Sequence, residues 1–93
     1  MVEEILAACE RIKNDRNLCS VFLHLKEEVQ ELNTEVIASV FSNAQGEDGI
    51  IGEAVDVILC AVDVIYQQNP SITKEQIAEV VARKIAKWER LYG

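Results

Sequence analysis

Residues 50–66 read IIGEAVDVILCAVDVIY, and this segment decides the fold of the protein. Almost every residue in it is apolar or small, and a helix that is apolar on all sides is buried on most of them. Its charged residues are the acids Glu53, Asp56 and Asp63, which share an arc about 80° wide at about 100° per residue. An unpaired buried carboxylate is costly, so this acidic stripe requires a cation, a basic partner or protonation.

Three further segments with helical periodicity accompany this one, and together they predict an all-α chain of four helices. The predicted helices span about residues 2–14, 18–41, 50–68 and 73–91. Pro70 ends the third helix, and Thr73 with Gln76 forms a capping box at the start of the fourth. The turn-forming residues of 42–49 predict that helices two and three are antiparallel.

Length and charge restrict the possible functions. The 93 residues form a single domain, 1–93, whose small core predicts self-association into an oligomeric helical bundle. The net charge of −7 argues against binding to polymeric nucleic acid or an anionic membrane. No apolar run is long enough to span a bilayer, and the N-terminus lacks a signal peptide's positive region, so a cytoplasmic location is expected. The three cysteines form no CxxC motif, so neither a disulfide framework nor a zinc site is indicated. All three are predicted to be reduced core thiols: Cys9, Cys19 and Cys60.

Helix two carries a polar line beside its apolar stripe, formed by His24, Glu28, Glu31 and Glu35. Because helices two and three are predicted to be antiparallel, the middle pair of this line can face the first two acids of helix three. All-oxygen ligation of this kind suits Mg²⁺ or Mn²⁺. The predicted metal ligands are Glu28, Glu31, Glu53 and Asp56.

The basic residues of helix four are the matching candidates for a phosphate. Lys84 lies in the middle of that helix's apolar stripe, and it either reaches the carboxylates or binds a phosphate beside the metal. Lys87 and Arg90 lie nearer to solvent, and they also suit the end of a helix, whose dipole favours cations. His24 either contacts the substrate or is a hydrogen-bonded histidine at a subunit interface.

Glu28-x-x-Glu31 followed by Glu53-x-x-Asp56, set in LKEEVQEL and GEAVDVIL, resembles the MazG-like all-α nucleoside triphosphate pyrophosphatases, and the similarity spans roughly residues 18–92. The resemblance implies an Mg²⁺-dependent hydrolase, with Mn²⁺ as a substitute. This enzyme would cleave nucleoside triphosphates, deoxynucleotides preferred, to the monophosphate and pyrophosphate. The resemblance also implies homodimers, often paired into tetramers, with an active site closed by more than one subunit.

The resemblance implies roles for individual residues as well. It makes the four acids metal ligands and adds Glu27, beside Glu28, as the group that orients or deprotonates the attacking water. It gives Asp63 a contact with substrate or metal, while a buried salt bridge is the alternative for this residue. It also makes Lys84, Lys87 and Arg90 the residues that contact the phosphates. The competing function is a non-catalytic dimerisation or regulatory module whose acids bind a partner's basic surface.

Overall fold

Four α-helices make up the part of the chain that the structure describes. The computed structural model describes residues 1–12, 15–42, 46 and 49–93. Its helices are α1 (Val2–Arg11), α2 (Leu18–Ser42), α3 (Gly49–Gln68) and α4 (Lys74–Tyr92). No strand occurs in these ranges, so the predicted all-α class is confirmed. Most of the predicted loop at 42–49 lies outside the described residues.

α1 is shorter than predicted, because it ends at Arg11 and not near residue 14. The N–H of Ile12 still donates to the carbonyl of Ala8 at 3.0 Å, but Ile12 has a ψ angle of 85° and has left the helix. The guanidinium of Arg16 then binds the helix end, since its Nη2 donates to the carbonyls of Cys9 and Ile12, each at 3.2 Å. Carbonyls in the last turn of a helix lack partners within it, and Arg16 supplies one. Residues 13–14, which were predicted to continue the helix, lie outside the described residues.

α2 and α3 pack against each other in the predicted antiparallel direction. His24, near the start of α2, contacts Cys60 in the second half of α3. Glu28, one turn further along α2, lies beside Asp56, which is one turn earlier in α3. Contacts that advance along one helix and retreat along the other require antiparallel helices. Glu28 of the polar line therefore faces Glu53 and Asp56 of α3.

α1 covers one side of α3 and forms the centre of a small core. Ile5 and Cys9 of α1 are buried against Val62 of α3, and Leu6 and Tyr66 pack around them. No described side chain is completely buried. The limited burial agrees with the size of the chain, since short chains cover a smaller fraction of their surface.

α4 begins at the predicted capping box. Oγ1 of Thr73 accepts from the N–H of Gln76 at 3.1 Å, and Oε1 of Gln76 accepts from the N–H of Thr73 at 2.9 Å. These two bonds satisfy backbone donors that the first turn of a helix leaves open. Ile77 is buried, but every residue after it is exposed. The apolar stripe of α4 is therefore uncovered in the single chain.

Apolar side chains of α3 are also uncovered, although the sequence predicts burial on most of its sides. The buried residues of α3 are Cys60 and Val62, while Ile51 is 81% exposed and Val55 44% exposed. One chain therefore does not supply the burial that this helix requires. Within the described ranges, no helix combines the length and apolar character needed to cross a bilayer.

Candidate metal centre

Three of the four predicted metal ligands converge between α2 and α3. Glu28, Glu53 and Asp56 each offer a carboxylate oxygen, and these oxygens lie within 4.8 Å of one another. Glu28 projects from α2, whereas Glu53 and Asp56 are three residues apart on α3 and so share one of its faces. All three residues are partly buried. We refer to these three residues as the acid cluster.

Glu31 and Glu27 lie at the edge of the acid cluster. Glu31 is exposed, and its carboxyl closely approaches that of Glu28, but it does not belong to the group of oxygens within 4.8 Å. Glu27 is also exposed, about 100° round the helix from Glu28. The predicted metal contact of Glu31 and the predicted water contact of Glu27 stay predictions.

The surroundings of Glu28 raise the pKa of its carboxyl. Burial is the largest cause, followed by the close carboxyl of Glu31 and the charge of Asp56, while the hydrogen bond from His24 lowers it. Among the described residues, Oε2 of Glu28 is buried with no hydrogen-bond partner. A cation at this point would offset the repulsion and give that oxygen a ligand.

The donor set of the acid cluster fits a hard divalent cation. Its three carboxylates offer only oxygen ligands, which suit Mg²⁺ and Mn²⁺. Mg²⁺ retains several waters and is usually held by one or two carboxylates, so three are sufficient. The acid cluster thus meets the chemical requirement for the metal that the sequence predicts.

His24 connects the acid cluster to a thiol. Nε2 of His24 lies 3.0 Å from Oε1 of Glu28, and its Nδ1 lies 3.6 Å from Sγ of Cys60. Burial and the neighbouring charge of Glu28 raise the pKa of the Cys60 thiol to about 11. His24 is therefore hydrogen bonded, as one of the two predictions for it requires. That prediction placed it at a subunit interface, whereas both of these partners lie in its own chain. Sequence spacing gave no sign of the thiol contact, because the two residues are 36 positions apart.

Asp63 is paired with Arg16, outside the acid cluster. Nη1 of Arg16 donates to Oδ2 of Asp63, and Nε2 of Gln67 lies 3.4 Å from Oδ1. The side chains of Arg16 and Asp63 are only 19% and 13% exposed. This is the buried salt bridge that the sequence analysis gives as the alternative for Asp63. Its contact with substrate or metal stays a prediction.

The basic residues of α4 lie apart from the acid cluster in the single chain. Lys84 lines an apolar pocket of about 550 Å³, formed by the end of α3, Ile72 and α4. The acid cluster borders another pocket, of about 560 Å³, whose lining includes Glu28, Asp56 and Cys60. Among the described residues, none from α4 lines this second pocket. The predicted phosphate contacts of Lys84, Lys87 and Arg90 therefore need another subunit or a movement of α4.

Glu35 is the last residue of the polar line of α2. It has a structural role that its spacing in the sequence does not indicate. The residue is buried, and its Oε1 accepts from the N–H of Gly46 at 2.6 Å. A Cβ atom at position 46 would lie 2.7 Å from Oε2 of Glu35, so glycine permits this close approach. Glu35 thereby holds Gly46 against α2.

Comparison with known proteins adds no further information on this site. No protein-family model matches the sequence, and neither a curated protein nor a solved structure is detectably similar to it.

Glu28→Gln is expected to stabilise the metal-free protein. A raised carboxyl pKa means that the folded state binds this proton more tightly than the unfolded state, so stability falls as pH rises from about the ordinary value of 4.5 through the raised pKa. Glutamine carries no such charge, and the advantage of the variant should therefore grow toward neutral pH. Thermal melts in a chelator across this range would measure the difference.

The matched control for this prediction is Glu79→Gln, which removes one charge from an exposed position on α4. Its melting temperature should follow that of the unmodified chain at each pH. A Glu28→Gln protein that is less stable at neutral pH would contradict the assignment of Glu28 as an unfavourable buried charge.

Proposed function

We propose that the protein is an Mg²⁺-dependent nucleoside triphosphate pyrophosphohydrolase. It would convert nucleoside triphosphates, deoxynucleotides preferred, to the monophosphate and pyrophosphate. The observation that carries the proposal is the convergence of Glu28, Glu53 and Asp56 beside a pocket. These residues belong to the ExxE and ExxD pattern that resembles the MazG-like enzymes.

Different residues of the chain would bind the metal, accept a proton and exclude water. Glu28, Glu53 and Asp56 would hold Mg²⁺, which supplies charge neutralisation of the triphosphate and polarisation of its phosphoryl oxygens. Glu27 is exposed beside this group and would accept a proton from the attacking water. The apolar side chains of Val21 and Leu59, which line the same pocket, would limit the access of other water.

The charge of the chain makes the cation a requirement of this proposal. A net charge of −7 repels a nucleoside triphosphate, and the acid cluster would concentrate that repulsion at the reacting phosphates. A bound divalent cation reverses the local charge. Activity without a divalent cation is therefore not expected.

A substrate panel tests the proposed function. The purified chain is incubated with each common dNTP and NTP in Mg²⁺, and pyrophosphate and monophosphate are measured, with a chelator as the control. Equal amounts of the two products, formed only with the metal, are expected. If no nucleotide yields pyrophosphate, the competing function as a non-catalytic acidic module is the one supported.

The same proposal includes assembly into a homodimer or a pair of dimers. Trp88 and Leu91 on α4 are each 64% exposed, and Phe41 at the end of α2 is 82% exposed. Scattered exposed apolar residues are normal, but a continuous uncovered stripe marks an interaction surface. A second copy of the chain carries the same stripe, so the two could cover each other around a twofold axis.

Trp88→Glu is expected to shift the protein toward the monomer, because it places a charge in the middle of the α4 stripe. Sedimentation at micromolar concentration measures the change in mass. Ala86→Glu is the control, since it adds the same charge nearly opposite on the helix. An unmodified chain that sediments as a folded monomer would contradict the proposed assembly.

A further inference from the structure

His24, Glu28 and Cys60 form a mixed group of nitrogen, oxygen and sulfur donors beside the acid cluster. We propose that this mixed cluster is a second metal site, for a softer divalent cation of the zinc class. Each of the three residues offers one ligand atom, and these atoms lie within 4.8 Å of one another. Imidazole and thiolate ligands favour Zn²⁺ or Co²⁺ over Mg²⁺. The mixed cluster shares Glu28 with the acid cluster, but the nitrogen of His24 and the sulfur of Cys60 have no part in the metal binding proposed for hydrolysis.

The spacing of two of the donors matches a tetrahedral ion. Zn–S bonds of about 2.3 Å and Zn–N bonds of about 2.0–2.1 Å, at a tetrahedral angle, put sulfur and nitrogen about 3.6 Å apart. Nδ1 of His24 and Sγ of Cys60 are separated by 3.6 Å. These two atoms can therefore share one ion without a shift of α2 relative to α3.

Glu28 supports the group through the second ring nitrogen of His24. Oε1 of Glu28 lies 3.0 Å from Nε2 of His24, which is the arrangement in which a carboxylate orients a metal-binding imidazole through the second ring nitrogen. The buried Oε2 of Glu28 belongs to the acid cluster, because an ion bound at Nδ1 lies on the far side of the imidazole ring from this carboxylate. With Cys60 and His24 as its protein ligands, the ion would have further positions open toward the adjoining pocket, which both residues line.

Binding at the mixed cluster would form a bond between the Cys60 sulfur and the cation. The thiol proton leaves to solvent, and the freed sulfur electron pair becomes the ligand. Sulfur ligation gives the experiment its specificity, because the oxygen-only acid cluster produces no sulfur-to-metal charge transfer.

Titration with Co²⁺ in the presence of Mg²⁺ tests the proposal in a Cys19→Ser chain, which lacks the exposed thiol. We expect a sulfur-to-cobalt charge-transfer absorption that Zn²⁺ displaces. Cys60→Ser should abolish this absorption. His24→Ala should weaken Co²⁺ binding at least about tenfold. Because His24 is exposed, its replacement is compatible with folding and decides the result if Cys60→Ser does not fold.

Two controls locate the ion. Cys9→Ala removes the other buried thiol, and Glu53→Gln alters the acid cluster alone, so both should retain the absorption. The proposal is overturned if the Cys19→Ser chain shows no such absorption or if His24→Ala binds Co²⁺ normally. It is also overturned if the absorption survives Cys60→Ser or disappears in Glu53→Gln.

Discussion

Asp56→Asn is expected to lower pyrophosphate release at least about 100-fold while the metal-free chain stays folded. A 100-fold loss corresponds to about 2.7 kcal/mol of transition-state stabilisation, which is within what a correctly held catalytic metal contributes. Asp56 is partly buried, and its charge contributes to the raised pKa of Glu28. Removing this charge should leave the metal-free melting temperature unchanged or raise it.

Paired measurements of turnover and thermal stability test this expectation. Glu53→Gln should behave in the same way, because Glu53 belongs to the same group of oxygens. Glu79→Gln removes one charge from an exposed position on α4 and should retain full activity. Unfolding of metal-free Asp56→Asn would show that the acid holds structure. Normal turnover in that variant would remove the acid cluster from the proposed mechanism.

Asp63→Asn is expected to destabilise the protein by about 3 kcal/mol, since breaking a buried ion pair leaves its partner's charge without compensation. The partner is Arg16, whose side chain is 19% exposed and also binds the carbonyls of Cys9 and Ile12. Loss of the pair therefore weakens the attachment of the end of α1 to α3. Urea unfolding of the metal-free protein measures this change.

Two further variants separate the structural and substrate roles of Asp63. Gln67→Leu removes the weaker partner of Asp63 and should cost much less stability than Asp63→Asn. Replacing both ions, in Arg16→Met with Asp63→Leu, should recover part of the loss, because no unpaired charge is left although the carbonyls of Cys9 and Ile12 lose their donor. If Asp63→Asn is as stable as the unmodified chain and raises KM instead, Asp63 acts on the substrate.

Local sequence predicts where the helices lie, but it predicts only some of their ends. Thr73 and Gln76 sit within one turn, so their capping box is evident from spacing alone and the structure confirms it. The end of α1 depends on Arg16, which in turn is held by Asp63, 47 residues away. Contacts over such distances in sequence leave no periodic signal. Cys19 was wrongly predicted to be in the core, since it is exposed in the single chain.

The candidate site was predictable where it depends on the pairing of α2 with α3. The antiparallel arrangement brings Glu28 to the acids of α3, whereas Glu31 is about 60° further round the helix and reaches only the edge. The apolar stripe of α4 did not predict where Lys84 lies, because an apolar face does not show which surface it packs against. The contact between His24 and Cys60 was not predictable, because it depends on the register between α2 and α3.

The part of α4 beyond Ile77 lies apart from the acid cluster in the single chain. Residues 78–93 are all exposed, and none of them lines the pocket that the acid cluster borders. If the proposed assembly forms through the α4 stripe, substitutions there would alter which copies associate without moving Glu28 or Asp56. Two chains that differ only in this final helix would then form separate complexes.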